Sequence, residues 1–154
     1  MVLVEGTTMT TTIADILAAK GRDVVTLGSH ARLAEAVALL AERRLGAVVI
    51  VDDADHLEGV LAERDVVRAL AERGTAALTE TVAALMDTDL PSCTDDALVD
   101  DVAAVMTRGR HRHVPVVEEG RLAGIVSVGD VVHARIDDLA HTADQLRTYV
   151  TGGY

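Results

Sequence analysis

Aromatic side chains are almost missing: the chain of 154 residues has no Phe, no Trp and only two Tyr, Tyr149 and Tyr154. That excludes the stacking platform on which single-stranded nucleic acid is held, and a net charge of −11 repels phosphate backbones at long range. Cysteine occurs once, at Cys93, so there is no internal disulfide framework and no multi-cysteine zinc site. No apolar run approaches the roughly 20 residues of a membrane helix, and the opening MVLVEGTT is too short and lacks the basic start of a signal peptide. The expectation is a cytoplasmic protein with neither nucleic acid nor membrane as partner. What is plentiful is Val, Leu, Ile and Ala within a hydrophobic share of 49%, set against 25% charged residues, the balance of a folded globular chain. Function therefore has to lie in a few polar residues at turns.

The chain repeats itself once. The first copy reads TIADIL from Thr12, VVTL from Val24, LAEAVALLAERRLGAVVIVDD from Leu33 to Asp53, and LEGVLAERDVVRAL from Leu57 to Leu70. The second reads TVAALM from Thr81, LPSC from Leu90, LVDDVAAVMTRGRHRHVPVVEE from Leu98 to Glu119, and LAGIVSVGDVVHARI from Leu122 to Ile136. Leu33, Ala36, Val37 and Leu40 recur at helical spacing, whereas GAVVIVDD and HVPVVEE are short Val-rich runs closed by acidic turn residues. Each copy is thus predicted as helix, strand, helix, strand, strand, helix, with its apolar strands well covered. Pro115 marks its strand as an edge or irregular position. The stretch from Arg73 to Glu80 serves as the hinge, leaving repeats over 12–73 and 81–136 and an extension over 137–154. One copy buries too little apolar surface to stand alone, so the two should pack about a pseudo-twofold axis and leave a cleft between them.

The strand-to-helix passage Gly124-Ile125-Val126-Ser127-Val128-Gly129-Asp130 has two readings. Ser127 and Asp130 are spaced as a capping box. The same helix start can also hold phosphate on a hydroxyl and free N–H groups, with an acid one turn in to accept ribose hydroxyls. In the first copy Ala62 replaces the serine while Asp65 remains, and because Ala is a poor cap, the retained acid suggests a role beyond the box. A basic run, Arg108 to His113, holds three Arg and two His in six residues and leads into the strand beside Ser127. It reads either as a solvated turn or as an anion-binding edge, since arginine forks suit phosphate oxygens.

Taken together, these elements resemble a tandem pair of CBS domains, the regulatory module named after cystathionine β-synthase, over roughly Thr12 to Ile136. The resemblance implies an α+β fold in which two repeats of β-α-β-β-α type form one pseudo-twofold module. It implies a non-enzymatic function: sensing an adenosine-containing ligand such as AMP, ADP, ATP, NAD(H) or S-adenosylmethionine in the inter-repeat cleft. Carried over position by position, Gly124, Ser127 and Asp130 match the family's motif, with Ser127 at phosphate and Asp130 at ribose; Arg112 and His113 match its phosphate positions. In the first copy Asp65 matches the ribose position, but Ala62 lacks the hydroxyl and Gly46-Ala47 replaces the basic pair, so the second copy is the stronger site, with Arg64 a candidate phosphate ligand. Adenine would lie against Val24 to Thr26, centred on Val25, or against Ser92 to Thr94, centred on Cys93, with Val114. The implied partners are a second copy of the chain and an unidentified regulated protein. The competing reading is an interaction module whose cleft stays empty.

Other candidates are weaker. His111 and His113 alternate on a strand without the further ligands a zinc ion needs. Cys93 has no visible base to activate it, and Asp100-Asp101 and Glu118-Glu119 read as solvated surface. The last helix carries an apolar stripe through Val132, Ile136, Leu139, Ala143, Leu146 and Val150, which packs either on its own domain or on a second copy.

Overall fold

The computed structural model describes residues 11–152; the opening segment considered for a leader lies outside them, as does Tyr154. The first copy runs as predicted: α1 (Ile13–Lys20), β1 (Thr26–Leu27), α2 (Leu33–Arg43), β2 (Ala47–Val51), β3 (Leu57–Ala62) and α3 (Glu63–Arg73). Two 3₁₀ turns follow, Gly74–Thr79 and Val82–Ala84, and then α4 (Val99–Gly109), β4 (His113–Glu118), β5 (Arg121–Ser127) and α5 (Val128–Thr151). The echo between copies extends to the caps. Both α2 and α4 end on an arginine in left-handed conformation, Arg44 at φ 53° and Arg110 at φ 55°.

Strands β1, β2 and β3 form one sheet, with β1 parallel and β3 antiparallel to β2; β4 and β5 form a second, antiparallel sheet. Side-chain alternation on β2 divides its contacts. Val48 and Ile50 pack with Leu33, Leu40, Leu61 and Val66 in the first core, while Ala47, Val49 and Val51 join Val60 in a cluster that also receives Leu122 and Ile125 of the second sheet. The two sheets therefore meet face to face across this middle layer, which is what binds the repeats into one α+β module.

The opening segments of the copies are exchanged. Ile13, Ile16 and Leu17 of α1 lie in the second core with Val99, Val102, Met106, Val114 and Val126, and Val82 from the second copy's opening turn lies in the first core. Matched backbone bonds fix this exchange: Ile13 N–H donates to Ala97 O at 2.9 Å and Val99 N–H to Thr11 O at 3.0 Å, just as Val82 N–H donates to Ala31 O at 2.7 Å and Leu33 N–H to Glu80 O at 2.9 Å. The pseudo-twofold is thus written in hydrogen bonds as well as in sequence.

Two elements of the second copy differ from the prediction. Its opening helix shrinks to the Val82–Ala84 turn because the chain just beyond is captured by β3, Val60 and Asp87 exchanging N–H···O bonds of 3.0 and 2.9 Å. Its first strand shrinks to a single bridge from Cys93 to Val116. Cys93 N–H donates to Pro115 O at 3.0 Å, so this is the side of β4 on which Pro115 lacks the N–H needed to extend the ladder.

Candidate functional site

Each sheet delivers its chain into a helix at the middle of the molecule: β3 ends at Ala62 and α3 begins, β5 ends at Ser127 and α5 begins. Both helix starts are tied to the neighbouring strand, Glu63 N–H donating to Gly46 O at 3.0 Å and Val128 N–H to Arg112 O at 2.9 Å. Between them lies a cleft of about 600 Å³, within the range that holds a nucleotide-sized ligand. One wall is Ala62 to Asp65 with Gly46 and Val60; the other is His111 to His113 with Ser127 to Gly129, and Asp87 and Leu90 close one side.

The structure brings Ser127, Arg112, His113, Arg64 and Asp65 together on this cleft. His113 pairs with Ser127 across β4 and β5 and reaches over to the first repeat, its Cε1 lying 3.0 Å from where a Cβ on Gly46 would stand. The absence of a side chain at Gly46 is what admits the imidazole. Burial first, then the positive charges of Arg112 and Lys20, push the His113 imidazole below its ordinary 6.5. Arg64 also crosses between repeats, donating from Nη1 to Arg110 O at 2.8 Å.

Other residues singled out in the sequence lie elsewhere. Asp130 lines an adjacent hollow of about 450 Å³. Its Oδ2 accepts from Ser127 N–H at 2.8 Å and from Lys20 Nζ, the one lysine of the chain, at 2.6 Å. Burial raises the Asp130 carboxyl, but the hydrogen bonds from Lys20 and Ser127 outweigh it and hold it below the ordinary 3.8. Gly124 faces Leu17, whose Cδ1 would stand 2.8 Å from a Cβ there; Gly59, its equivalent, likewise faces Met86 Sδ at 2.7 Å. These glycines admit the exchanged segments. Val114 is buried in the second core, Cys93 is half-buried against it with its thiol pushed up to about 11 by burial, and Val25 meets β2 through its carbonyl, 3.4 Å from Val49 N–H.

The capping box at Ser127 is present in full, with Asp130 N–H donating to Ser127 Oγ at 3.2 Å. At the first copy the carboxylate half alone persists, Asp65 Oδ2 accepting from Ala62 N–H at 2.8 Å. Retention of Asp65 beside Ala62 is therefore accounted for by capping that needs no hydroxyl, and it does not by itself point to a ligand. Asp65 is 8% exposed and lines the cleft, and among the described residues its Oδ1 is answered by Arg68 alone, at 3.8 Å. Lys20 at Asp130 and Arg110 beside Arg64 were missed in the sequence, because nothing local links residues so distant along the chain.

The fold and this inter-repeat cleft are those of a tandem regulatory module. The CBS domain model matches residues 13–72 and 82–137, and the chain belongs to the CBS domain family. It is 45% identical to the CBS-domain containing protein ATU1752 from Agrobacterium tumefaciens, with a TM-score of 0.78 over 81% of this chain and 99% of that one. It superposes on the CBS domain pair of protein MJ0100, solved in complex with 5′-methylthioadenosine and S-adenosyl-L-methionine, with a TM-score of 0.73 at 28% identity, covering 81% of this chain and 95% of that one. It is also similar to the mitochondrial CBS domain-containing protein CBSX3 of Arabidopsis thaliana, 29% identical over 152 residues, 94% of this chain and 74% of that protein. No catalytic family is indicated. Among the described residues no helix is long and apolar enough to cross a membrane.

Proposed function

We propose that this CBS pair binds an adenosine-containing ligand in the cleft between its repeats and reports the bound state to an unidentified partner protein. The observation that carries this is the convergence on one cleft of two helix starts, the Ser127 hydroxyl, Arg112, His113 and Arg64, with one well-buried carboxylate, Asp65, beside Arg64 and across from Ser127 and Arg112. Charge-assisted bonds from Arg and the α5 start suit phosphate, and a carboxylate oxygen suits the paired hydroxyls of ribose. Placement favours Asp65 over Asp130 for the ribose contact, because Asp130 sits in the neighbouring hollow with Lys20 on its Oδ2. The complexed MJ0100 pair supports the adenosine class.

A thermal-shift panel of AMP, ADP, ATP, NAD, NADH and S-adenosylmethionine tests this reading. A ligand at a hundred times its dissociation constant adds about 2.7 kcal/mol if it binds only the folded state. The expected result is a raised melting temperature with at least one compound, reduced more by Asp65→Asn than by Asp130→Asn. The reverse order returns the ribose contact to Asp130 with Lys20 displaced. No shift with any compound leaves the interaction module with an empty cleft, which the exposed face of α5 favours. That face also supports homodimerisation: the stripe from Val132 to Val150 steps by four and three, with Ile136 and Val150 alternating against Leu139 and Leu146, the pattern of a two-stranded seam.

A further inference from the structure

We infer that the ligand carries a chain of phosphates rather than a single phosphate or a cationic tail, and that this chain runs out of the cleft into a second, arginine-rimmed hollow. The inference rests on the proposed adenosine reading of the cleft and extends it. A hollow of about 550 Å³ adjoins the cleft and shares Arg64, His111, Arg112 and Val128 with it. Its floor is apolar, Met106 and Val131 among others, and its rim adds Arg110 to the shared basic residues, with no acidic side chain in its lining. In a chain whose net charge is −11, three arginines and a histidine around one depression without a carboxylate is a pronounced local reversal of sign.

The cleft itself is different. It sets Glu63, Asp65 and Asp87 among its basic residues, so it can neutralise little more than one phosphate while seating an uncharged base and sugar. Beyond Ser127 and Arg112, further phosphates find the lowest-energy direction toward Arg110. The start of α5 supports that direction: this 24-residue helix begins at Val128, on the wall common to both cavities, and its positive end favours anions there. Arg64 is already positioned by its bond to Arg110 O, which holds its guanidinium at the boundary of the two spaces. A sulfonium-bearing adenosine would bring a positive centre to the same wall and is disfavoured.

Titration calorimetry at low salt with AMP, ATP and S-adenosylmethionine tests this, with Arg110→Gln as the variant. Arg110 is exposed and its side chain does not hold the fold; its carbonyl, which Arg64 uses, is untouched by the substitution. ATP should bind at least tenfold more tightly than AMP, S-adenosylmethionine more weakly than AMP, and Arg110→Gln should bring the ATP-to-AMP affinity ratio toward one. Arg147→Gln, the same charge change on the remote part of α5, controls for net charge and should leave the ratio as it is. Equal affinities for AMP and ATP, tighter binding of S-adenosylmethionine, or equal effects of the two Arg variants on the ratio overturn the inference while leaving the cleft an adenosine site. Absence of binding by all three removes both.

Discussion

Asp65 and Asp130 occupy equivalent positions and do the same backbone work, each accepting from the N–H of the residue that caps its helix. They differ in company. Lys20 and Ser127 hold the Asp130 carboxyl below 3.8, so its contribution to stability is complete above that ordinary value and is lost as the pH falls through the lower folded-state value. Lys20→Met should shift the acid-unfolding limb to higher pH, read from thermal melts across a pH series; an unmoved limb would show the ion pair to be idle. Ser127→Ala removes the hydroxyl half of the box, leaving the carboxylate half as at Ala62, and should cost about 1 kcal/mol of stability by chemical denaturation. His113 behaves with the opposite sign toward ligand. It is held below 6.5 by burial and by the positive charges of Arg112 and Lys20, and an anion bound as proposed would raise it, so phosphate binding would take up a proton and should tighten as pH falls below about 6.5. Comparison with His113→Gln removes the ligand's own titration from the measurement, and identical pH profiles for the two proteins would exclude the imidazole from the contact.

At the scale of elements, the glycines of the two motifs turn out to serve packing. A methyl group on Gly124 would meet Leu17, itself 1% exposed, and one on Gly59 would meet both Met86 Sδ and the carbonyl of Asp87 at 2.9 Å. Both Ala variants should therefore lose about 1–3 kcal/mol in urea melts, the Gly59 variant more because a backbone carbonyl yields less easily than a side chain. The exchange of opening segments makes a second test available. Ile13 precedes the first repeat's strands in sequence yet is fully buried in the second core, so Ile13→Ala should cost about 2–5 kcal/mol. Hydrogen exchange should show its loosening in α4 and β4 rather than in α2 and β2. The six-element order of the first copy was legible because Val-rich runs and leucine spacing follow directly from which faces are covered. The exchange was not, because Ile13, Ile16 and Leu17 need an apolar neighbour without specifying which repeat provides it. Nor was the shortened start of the second copy, where tertiary pairing of Asp87 with Val60 overrides the helical pattern of TVAALM.

For the whole molecule, the apolar stripe of α5 settles one of the alternatives left by the sequence. It does not pack on its own domain: Leu139 is 70% exposed, Val150 73%, and Tyr149 points outward at 83%. Val67 of α3 and Val132 of α5, at equivalent positions in the two repeats, are exposed as well, so each half offers an exposed valine on the corresponding helix. The proposed second copy would cover this surface. Sedimentation velocity should find a dimer, converted to monomer by Leu139→Asp with Leu146→Asp; a native monomer at tens of micromolar would remove the second copy as occupant. The cleft was legible in outline, since the repeat dictated a pseudo-twofold and the motif marked Ser127. Its composition was not, because Arg64 and Asp65 reach Ser127 and Arg112 only through the packing of the two sheets. The most direct measurement is electron density for ATP in a soaked crystal. The expected density is a nucleotide seated between Asp65 and Ser127 with its phosphates directed past Arg112 toward Arg110; an unoccupied cleft at saturating ligand, or a nucleotide bound outside it, would rule out the proposed site.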